Sequence, residues 1–346
     1  MTKPVLFITR KWSPAIGGME TYSIKVVEHL RTKTPVQVLH PKMCNTGRPK
    51  LFPLLWFFIA ATFHVLVKGR NYSCIHLGDA VLYPLSFLAR CYNLPTFITF
   101  HGLDLQYALK PSFKGRIYKI YLSCLRYAPI SCAFPNSNYT ASLIPTTISR
   151  KVVPLGSDLQ HRSVVTKTLR PTLTICYVGR VIPRKGLVWF IEEIFPYIDN
   201  CVLQVVGPTP SHICTKYNSP KIIWHSQVNE YTLDKLRQAS DIFIVPNIPT
   251  STDVEGFGLV CVENACYGVP VLVSNWQGLS DAVIEGTTGF LLEPGQPLPW
   301  IQKIEEIQTW TPKSWQNFAL TSKKALPYYS WSRVVEDYIS TYETYL

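Results

Sequence analysis

Short apolar runs alternate with amphipathic segments along almost the whole chain, and no other feature limits the fold as strongly. Runs at residues 4–9, 36–40, 74–77, 96–99, 131–135 and 151–154 read as strands, and 20–31 has helical apolar spacing. Strands alternating with helices imply a parallel sheet covered by helices, an α/β fold. A second series starts at 173–178 and continues through 201–207, 222–225 and 242–246, with a helix over 229–239. A chain of 346 residues supplies two cores of this kind. The polar stretch 156–171 is the expected linker, which puts the boundary near residue 160 and gives domains at 1–160 and 161–327.

Composition narrows the setting. Hydrophobic residues at 47% and charged residues at 16% exclude a disordered chain. The ten cysteines include no Cys-x-x-Cys pair, so neither a zinc ribbon nor a disulfide scaffold is expected, and a reduced, cytoplasmic setting fits. Arg10 and Lys11 follow the first apolar strand directly, which is not the pattern of a signal peptide. Residues 1–155 hold 19 Lys or Arg against 4 Asp or Glu, a balance of +15, whereas 156–346 hold 15 against 18, a balance of −3. A basic half calls for an anionic partner: nucleic acid, a membrane surface or a phosphorylated substrate. No Arg-rich tail, zinc finger or RNA-binding motif accompanies it, which speaks against nucleic acid. The same half contains the uncharged stretch 51–67, flanked by Lys50, Lys68 and Arg70. It is at the short edge of the ~17–25 residues a membrane span needs. Pro53 and His64 interrupt it between strands of one sheet, so a buried or partly membrane-facing helix is expected, able to dip into an interface.

Ligands of open parallel sheets bind outside the carboxyl ends of the strands, so the loops there hold the candidate site residues. Gly17-Gly18-Met19-Glu20 follows the first strand, where glycines allow close approach and a helix start favours phosphate. His101-Gly102-Leu103-Asp104 follows the strand at 96–99; without context such a histidine is a structural residue. Asn136-Ser137-Asn138 ends another strand and serves equally as a helix cap. In the second series, Gly179-Arg180-Val181-Ile182-Pro183-Arg184-Lys185-Gly186 sets three cations ahead of a helix expected from Leu187. A phosphate there would relieve their repulsion, with Arg180 gripping it bidentately.

The most informative loop is Glu255-Gly256-Phe257-Gly258-Leu259-Val260-Cys261-Val262-Glu263, two carboxylates eight residues apart around a Gly-Phe-Gly turn. The helix after it is expected to end at Gly268, with Glu263 about two turns inside and a strand over 270–274. Taken alone, the Gly-x-Gly is a turn into a core helix with two incidental glutamates. As a unit, N–H groups for phosphate beside carboxylates for hydroxyls suit a nucleotide sugar.

The whole run resembles the Glu-x7-Glu motif of the GT4 family of retaining glycosyltransferases. The likeness continues through Gly268-Val269-Pro270-Val271 and Gly286-Thr287-Thr288-Gly289-Phe290-Leu291. The loops at 17–20, 101–104, 136–138 and 179–186 resemble that family's other signatures, strongest over 173–293 and weaker over 40–95. The resemblance implies the GT-B architecture, two facing Rossmann-like domains with a cleft between them. It gives the first domain the acceptor and the second the donor, with a last helix, 328–346, crossing back onto the first. Donor contacts would come from Gly17, Gly18, Gly179, Arg180, Lys185, Glu255, Gly256, Phe257, Gly258, Leu259 and Glu263. Among these, Glu263 would serve the ribose hydroxyls and Glu255 a sugar hydroxyl. Catalysis would fall to His101, Glu255, Arg180 and Lys185, the two cations stabilising the departing diphosphate. Asp104, Asn136 and Ser137 would face the acceptor. The chain has no Asp-x-Asp motif, so no metal and no cofactor are expected. Two departures stand out: Pro246-Asn247 where the family has Pro-Ser, and Ser280-Asp281 where many relatives carry Pro-Glu.

The expected activity is therefore sugar transfer, with retention, from a nucleotide diphosphate sugar to a lipid-linked glycan or cell-surface polysaccharide precursor. The basic half and the 51–67 stretch add an anionic membrane surface as partner and a peripheral, cytoplasmic place on the inner face of the membrane. Two alternatives stand beside it: a nucleotide-sugar 2-epimerase of the same architecture and a nucleic-acid-binding protein.

Overall fold

The computed structural model describes residues 3–14, 17–41, 51–106, 111–159, 171–250 and 253–346. The chain forms two compact units, Met1–Gly156 with Trp331–Leu346, and Ser157–Ser330. Of the expected linker, 160–170 lie outside the described residues, as do 15–16 of the first loop and 251–252 of the loop before Glu255.

Unit 1 runs β1 (Val5–Ile8), α1 (Gly18–Arg31), β2 (Val36–Leu39), α2 (Leu51–Lys68), β3 (Cys74–Leu77), α3 (Leu85–Arg90), β4 (Thr96–Phe100), α4 (Leu103–Gln106), α5 (Phe113–Ser123), β5 (Cys132–Pro135) and α6 (Asn138–Ser142). Its five strands are parallel in the order β2-β1-β3-β4-β5. Strands β1, β3 and β4 are buried throughout, because helices cover both sheet faces, and so they read as unbroken apolar runs. Edge strand β2 tolerates the exposed Gln37. The steps from β2 to β3, β3 to β4 and β4 to β5 cross the sheet in one direction. Right-handed crossovers therefore put α2, α3 and α5 on one face and α1 on the other. Residues 151–154, expected as a strand, form none. Lys151 N and Val153 N donate to Ala133 O and Pro135 O, both at 2.9 Å, but Pro154 has no N–H to extend the ladder.

Unit 2 runs β6 (Leu173–Val178), α7 (Leu187–Glu193), β7 (Cys201–Val206), α8 (Ser211–Lys216), β8 (Ile222–His225), α9 (Glu230–Ala239), β9 (Ile242–Val245), α10 (Leu259–Ala265), β10 (Val271–Ser274), β11 (Gly289–Leu292), α11 (Pro297–Gln308) and α12 (Pro312–Ala325). Six parallel strands take the order β11-β10-β9-β6-β7-β8. The α/β class and the parallel sheets read from the alternation are what the structure contains.

The last helix, α13 (Trp331–Tyr345), belongs to unit 1. Its apolar face of Trp331, Val334, Val335, Tyr338 and Tyr342 is buried, with α1 as neighbour. Tyr338 Oη lies 3.2 Å from Tyr22 Oη. The buried His76 contacts Tyr342 Oη through Nδ1 and Thr99 Oγ1, at 2.8 Å, through Nε2. Burial pushes the His76 pKa down to about 3, so this polar seam stays neutral over the ordinary pH range.

Candidate active site

In unit 2 the strand order reverses between β6 and β9, and the loops leaving their carboxyl ends part there. After β6, a 3₁₀ turn at Pro183–Lys185 ends in Gly186 at φ 66°. A Cβ on Gly186 would lie 1.7 Å from Pro246 O in the loop after β9, so only glycine lets the two loops touch. Ile248 N donates to Arg184 O at 3.1 Å across the same contact.

Glu255 sits where the loops meet. Lys185 Nζ donates to its Oε2 at 2.5 Å, Asn247 Nδ2 at 3.1 Å, and Arg184 Nη1 donates to the same oxygen. All three converge on Oε2, which leaves Oε1 to accept from a ligand hydroxyl. The backbone is held as well: Glu255 N donates to Gln277 Oε1 at 2.8 Å, and Gly278 N to Glu255 O at 3.1 Å. Arg184, only 6% exposed, also donates to Asp253 Oδ2 at 3.0 Å. Burial pushes the Glu255 carboxyl up, but Lys185 and Arg184 outweigh it and hold the pKa at about 2. Glu255 is thus ionised at neutral pH, a standing hydrogen-bond acceptor rather than a proton carrier.

Gly258, at φ 80°, opens α10, with Phe257 buried beside it. The helix is shorter than its sequence suggests. It has seven residues, so Glu263 lies about one turn inside and not two. The chain leaves helical geometry after Cys266 because Gly268 takes φ 72° and Pro270 leads into β10. Glu263 accepts from Arg237 Nη2 at 2.8 Å, and that guanidinium lies 5.9 Å from the Tyr267 ring centroid.

Of the expected cations, Lys185 reaches Glu255, whereas the Arg180 side chain is exposed and its carbonyl accepts from Tyr177 Oη at 2.8 Å. From sequence, Arg184 reads only as one of three loop cations and Asn247 only as a departure from the family pattern, while Asp253 and Gln277 are given no role. For Arg184 a signal existed: Pro183 starts a tight turn that points successive side chains to different sides. Arg237 and Gln277 carry no local signal.

In unit 1 the strand order reverses between β1 and β3. Gly17 immediately precedes α1, and a Cβ there would meet Glu20 Oε2 at 2.6 Å; Glu20 in turn pairs with Lys11 at 3.2 Å. Gly18 is the first residue of α1 and has open space around it. His101 is buried, its Nε2 3.0 Å from Gly78 O. A carbonyl only accepts, so Nε2 is the donor in this contact. Asp104 Oδ1 accepts from His101 N and Oδ2 from Ala80 N, each at 3.0 Å, and burial raises its pKa. Ser137 caps α6, accepting from Thr140 N at 3.0 Å, and Asn136 Oδ1 accepts from Thr140 Oγ1 at 2.9 Å. The structure thus brings His101 and Asp104 together and gives Ser137 a capping task. Among the described residues, no group of three or more His, Cys, Asp or Glu could hold a metal ion.

Residues 172–309 match the family model of glycosyl transferases group 1. The capsular polysaccharide biosynthesis glycosyltransferase CapM of Staphylococcus aureus is 27% identical over 161 residues, 41% of this chain and 38% of that protein. The matched stretch spans less than half the length of the curated relatives, from 38% to 47% in three of them. Among solved structures, sucrose-phosphate synthase from Thermosynechococcus elongatus has a TM-score of 0.76 at 16% identity, covering 99% of this chain and 98% of that one. HepE of Anabaena, solved in complex with UDP and glucose, has a TM-score of 0.72 at 16% identity, covering 99% and 100%. At such identities the likeness shows the fold, and that fold is GT-B.

Proposed function

Because residues 172–309 form a glycosyl transferases group 1 domain within a GT-B fold, we propose that the protein is a retaining, metal-independent glycosyltransferase. It moves a sugar from a nucleotide diphosphate sugar to a lipid-linked glycan or cell-surface polysaccharide precursor. The observation that carries this reading is Glu255, an ionised carboxylate with three donors on Oε2 and Oε1 left over. Oε1 accepts from a hydroxyl of the transferred sugar. Glu263, one turn into α10, accepts from the ribose hydroxyls, held in place by its hydrogen bond from Arg237.

Breaking the glycosidic bond leaves negative charge on the diphosphate. Lys185 and the exposed Arg180 supply cations for it, the part a metal plays in other transferases. Glu255, at about 2, is too weak a base to take the acceptor's proton. The departing phosphate oxygen takes it instead, while the acceptor oxygen bonds to the anomeric carbon on the face just vacated, which retains configuration. The names of two similar proteins support this reading: HepE is solved with UDP and glucose, and CapM is named for capsular polysaccharide.

The test is thermal unfolding with UDP-, GDP- and ADP-sugars at EDTA-treated equilibrium. A ligand at about a hundred times its Kd stabilises the native state by about 2.7 kcal/mol, so the true donor raises Tm by several degrees. No rise with any nucleotide sugar overturns the reading.

A further inference from the structure

Helices α2 and α5 present apolar side chains that unit 1 leaves uncovered. The inner stripe of α2, Phe57, Ala61 and Val65, is buried in the core. Its outer stripe, Phe52, Trp56, Ile59 and Phe63, is 79%, 65%, 60% and 67% exposed. The polar His64 turns away from that stripe: its Nε2–H donates to Tyr72 Oη at 2.6 Å, and that hydroxyl donates to Gln37 Oε1 at 2.7 Å. On α5, Phe113, Ile117 and Ile120 repeat helical spacing and are exposed. Both helices lie on the same sheet face by the crossover rule. Exposed apolar stripes of this kind, one on each helix, mark a docking surface.

Charge identifies the occupant. Lys68 at the end of α2, Arg70 in the turn just after it, and Lys114, Arg116 and Lys119 of α5 are exposed. Between residues 29 and 157 the sequence has two acids, Asp79 and Asp104, and both are buried. We propose that this face docks on the surface of a bilayer containing anionic phospholipid, with α2 lying in the interface. Cations meet the headgroups while the apolar stripe enters the acyl boundary. A second copy of the chain would bring two cationic rims together and be repelled. Helix α2 is long and apolar enough to cross a membrane by length and composition. Crossing would pull Phe57, Ala61 and Val65 from the core and separate β2 from β3, which flank β1 in one sheet. The surface belongs to unit 1 alone and holds whichever donor unit 2 takes. With a lipid-linked acceptor, it sets the enzyme on the cytoplasmic leaflet where the acceptor's tail is anchored.

The test is co-sedimentation of the full chain with vesicles of phosphatidylcholine alone and of equimolar phosphatidylcholine and phosphatidylglycerol. The proposal requires pelleting with the anionic vesicles, partial release at high salt, and indifference to the neutral ones. The variants Phe52→Ser/Ile59→Ser/Phe63→Ser and Lys114→Glu/Arg116→Glu/Lys119→Glu each lower partitioning roughly tenfold or more. Circular dichroism and the donor-induced Tm rise stay unchanged in both, which separates this proposal from the assignment of the donor site. Equal pelleting of both variants and the parent overturns it, as does indifference to both vesicle types at low salt. Concentration-dependent dimerisation abolished by the α2 variant, without vesicle binding, assigns the face to a second copy instead.

Discussion

Lys185 and Glu255 are 70 residues apart in the chain, yet Nζ of the first lies 2.5 Å from Oε2 of the second. The contact exists because β6 and β9 are adjacent in the sheet and Gly186 lets their following loops touch at Pro246. Arg184 joins the same carboxylate oxygen and ties it to Asp253. The expected acid sensitivity of this site and the tolerance of its loops to substitution both trace to that junction.

Glu255→Gln keeps the volume and removes the charge. Transfer should fall roughly a hundredfold or more, the usual consequence of losing a charged hydrogen bond used in the transition state. The circular dichroism spectrum should not change. Turnover near that of the parent protein would remove Glu255 from the mechanism.

Acid should reveal the same pair. The Glu255 pKa is depressed from its ordinary 4.5 to about 2 in the folded protein. Its contribution to stability is therefore complete above 4.5 and is lost as pH falls from there through about 2, because the unfolded state binds the proton first. In urea titrations across pH, the stability difference between the parent and Glu255→Gln should hold constant above that range and shrink below it. A difference that stays flat down to the lowest pH at which both proteins fold would mean the carboxylate is not paired as described.

The two arginines of the 179–186 loop should separate cleanly. Arg184→Ala removes a buried partner of Glu255 and Asp253 and should cost about 1–3 kcal/mol of stability, with slower transfer. Arg180→Ala lies at the surface and should change stability by less than about 0.5 kcal/mol, while raising the donor Kd roughly tenfold. Calorimetry on each variant, with and without nucleotide sugar, reads both effects. Activity should persist in EDTA; loss in EDTA with recovery on Mg²⁺ would overturn the metal-independent reading.

Gly186→Ala and Gly286→Ala test whether the loop junction or backbone strain alone matters. Both glycines have φ near 66°. Around Gly286 nothing lies within 4 Å of a new Cβ, whereas Gly186 would drive it to 1.7 Å from Pro246 O. Gly286→Ala should cost about 1 kcal/mol from backbone strain, and Gly186→Ala more than about 3 kcal/mol, with loss of donor binding. Chemical denaturation decides it; equal costs would mean the loops do not meet.

Sequence alone determined the strand–helix alternation, the parallel sheets and the loops that carry the candidate residues, since each is encoded within a few residues. Period and turn chemistry are local properties: Val271 to Ser274 reads as a buried strand because it is buried on both faces. The end of α10 near Gly268 was legible, but the depth of Glu263 was misjudged, because Gly258 in left-handed geometry delays the helix start to Leu259. Only the tertiary structure decided which cation faces Glu255. Arg180, Arg184 and Lys185 look alike in sequence, and the 3₁₀ turn at Pro183–Lys185 turns two of them toward the carboxylate. The same holds for α2, an evenly apolar run in sequence. Packing against α3 and the unit 1 core buries one stripe and leaves the other exposed, because a helix has two sides and only its neighbours determine which one meets the core.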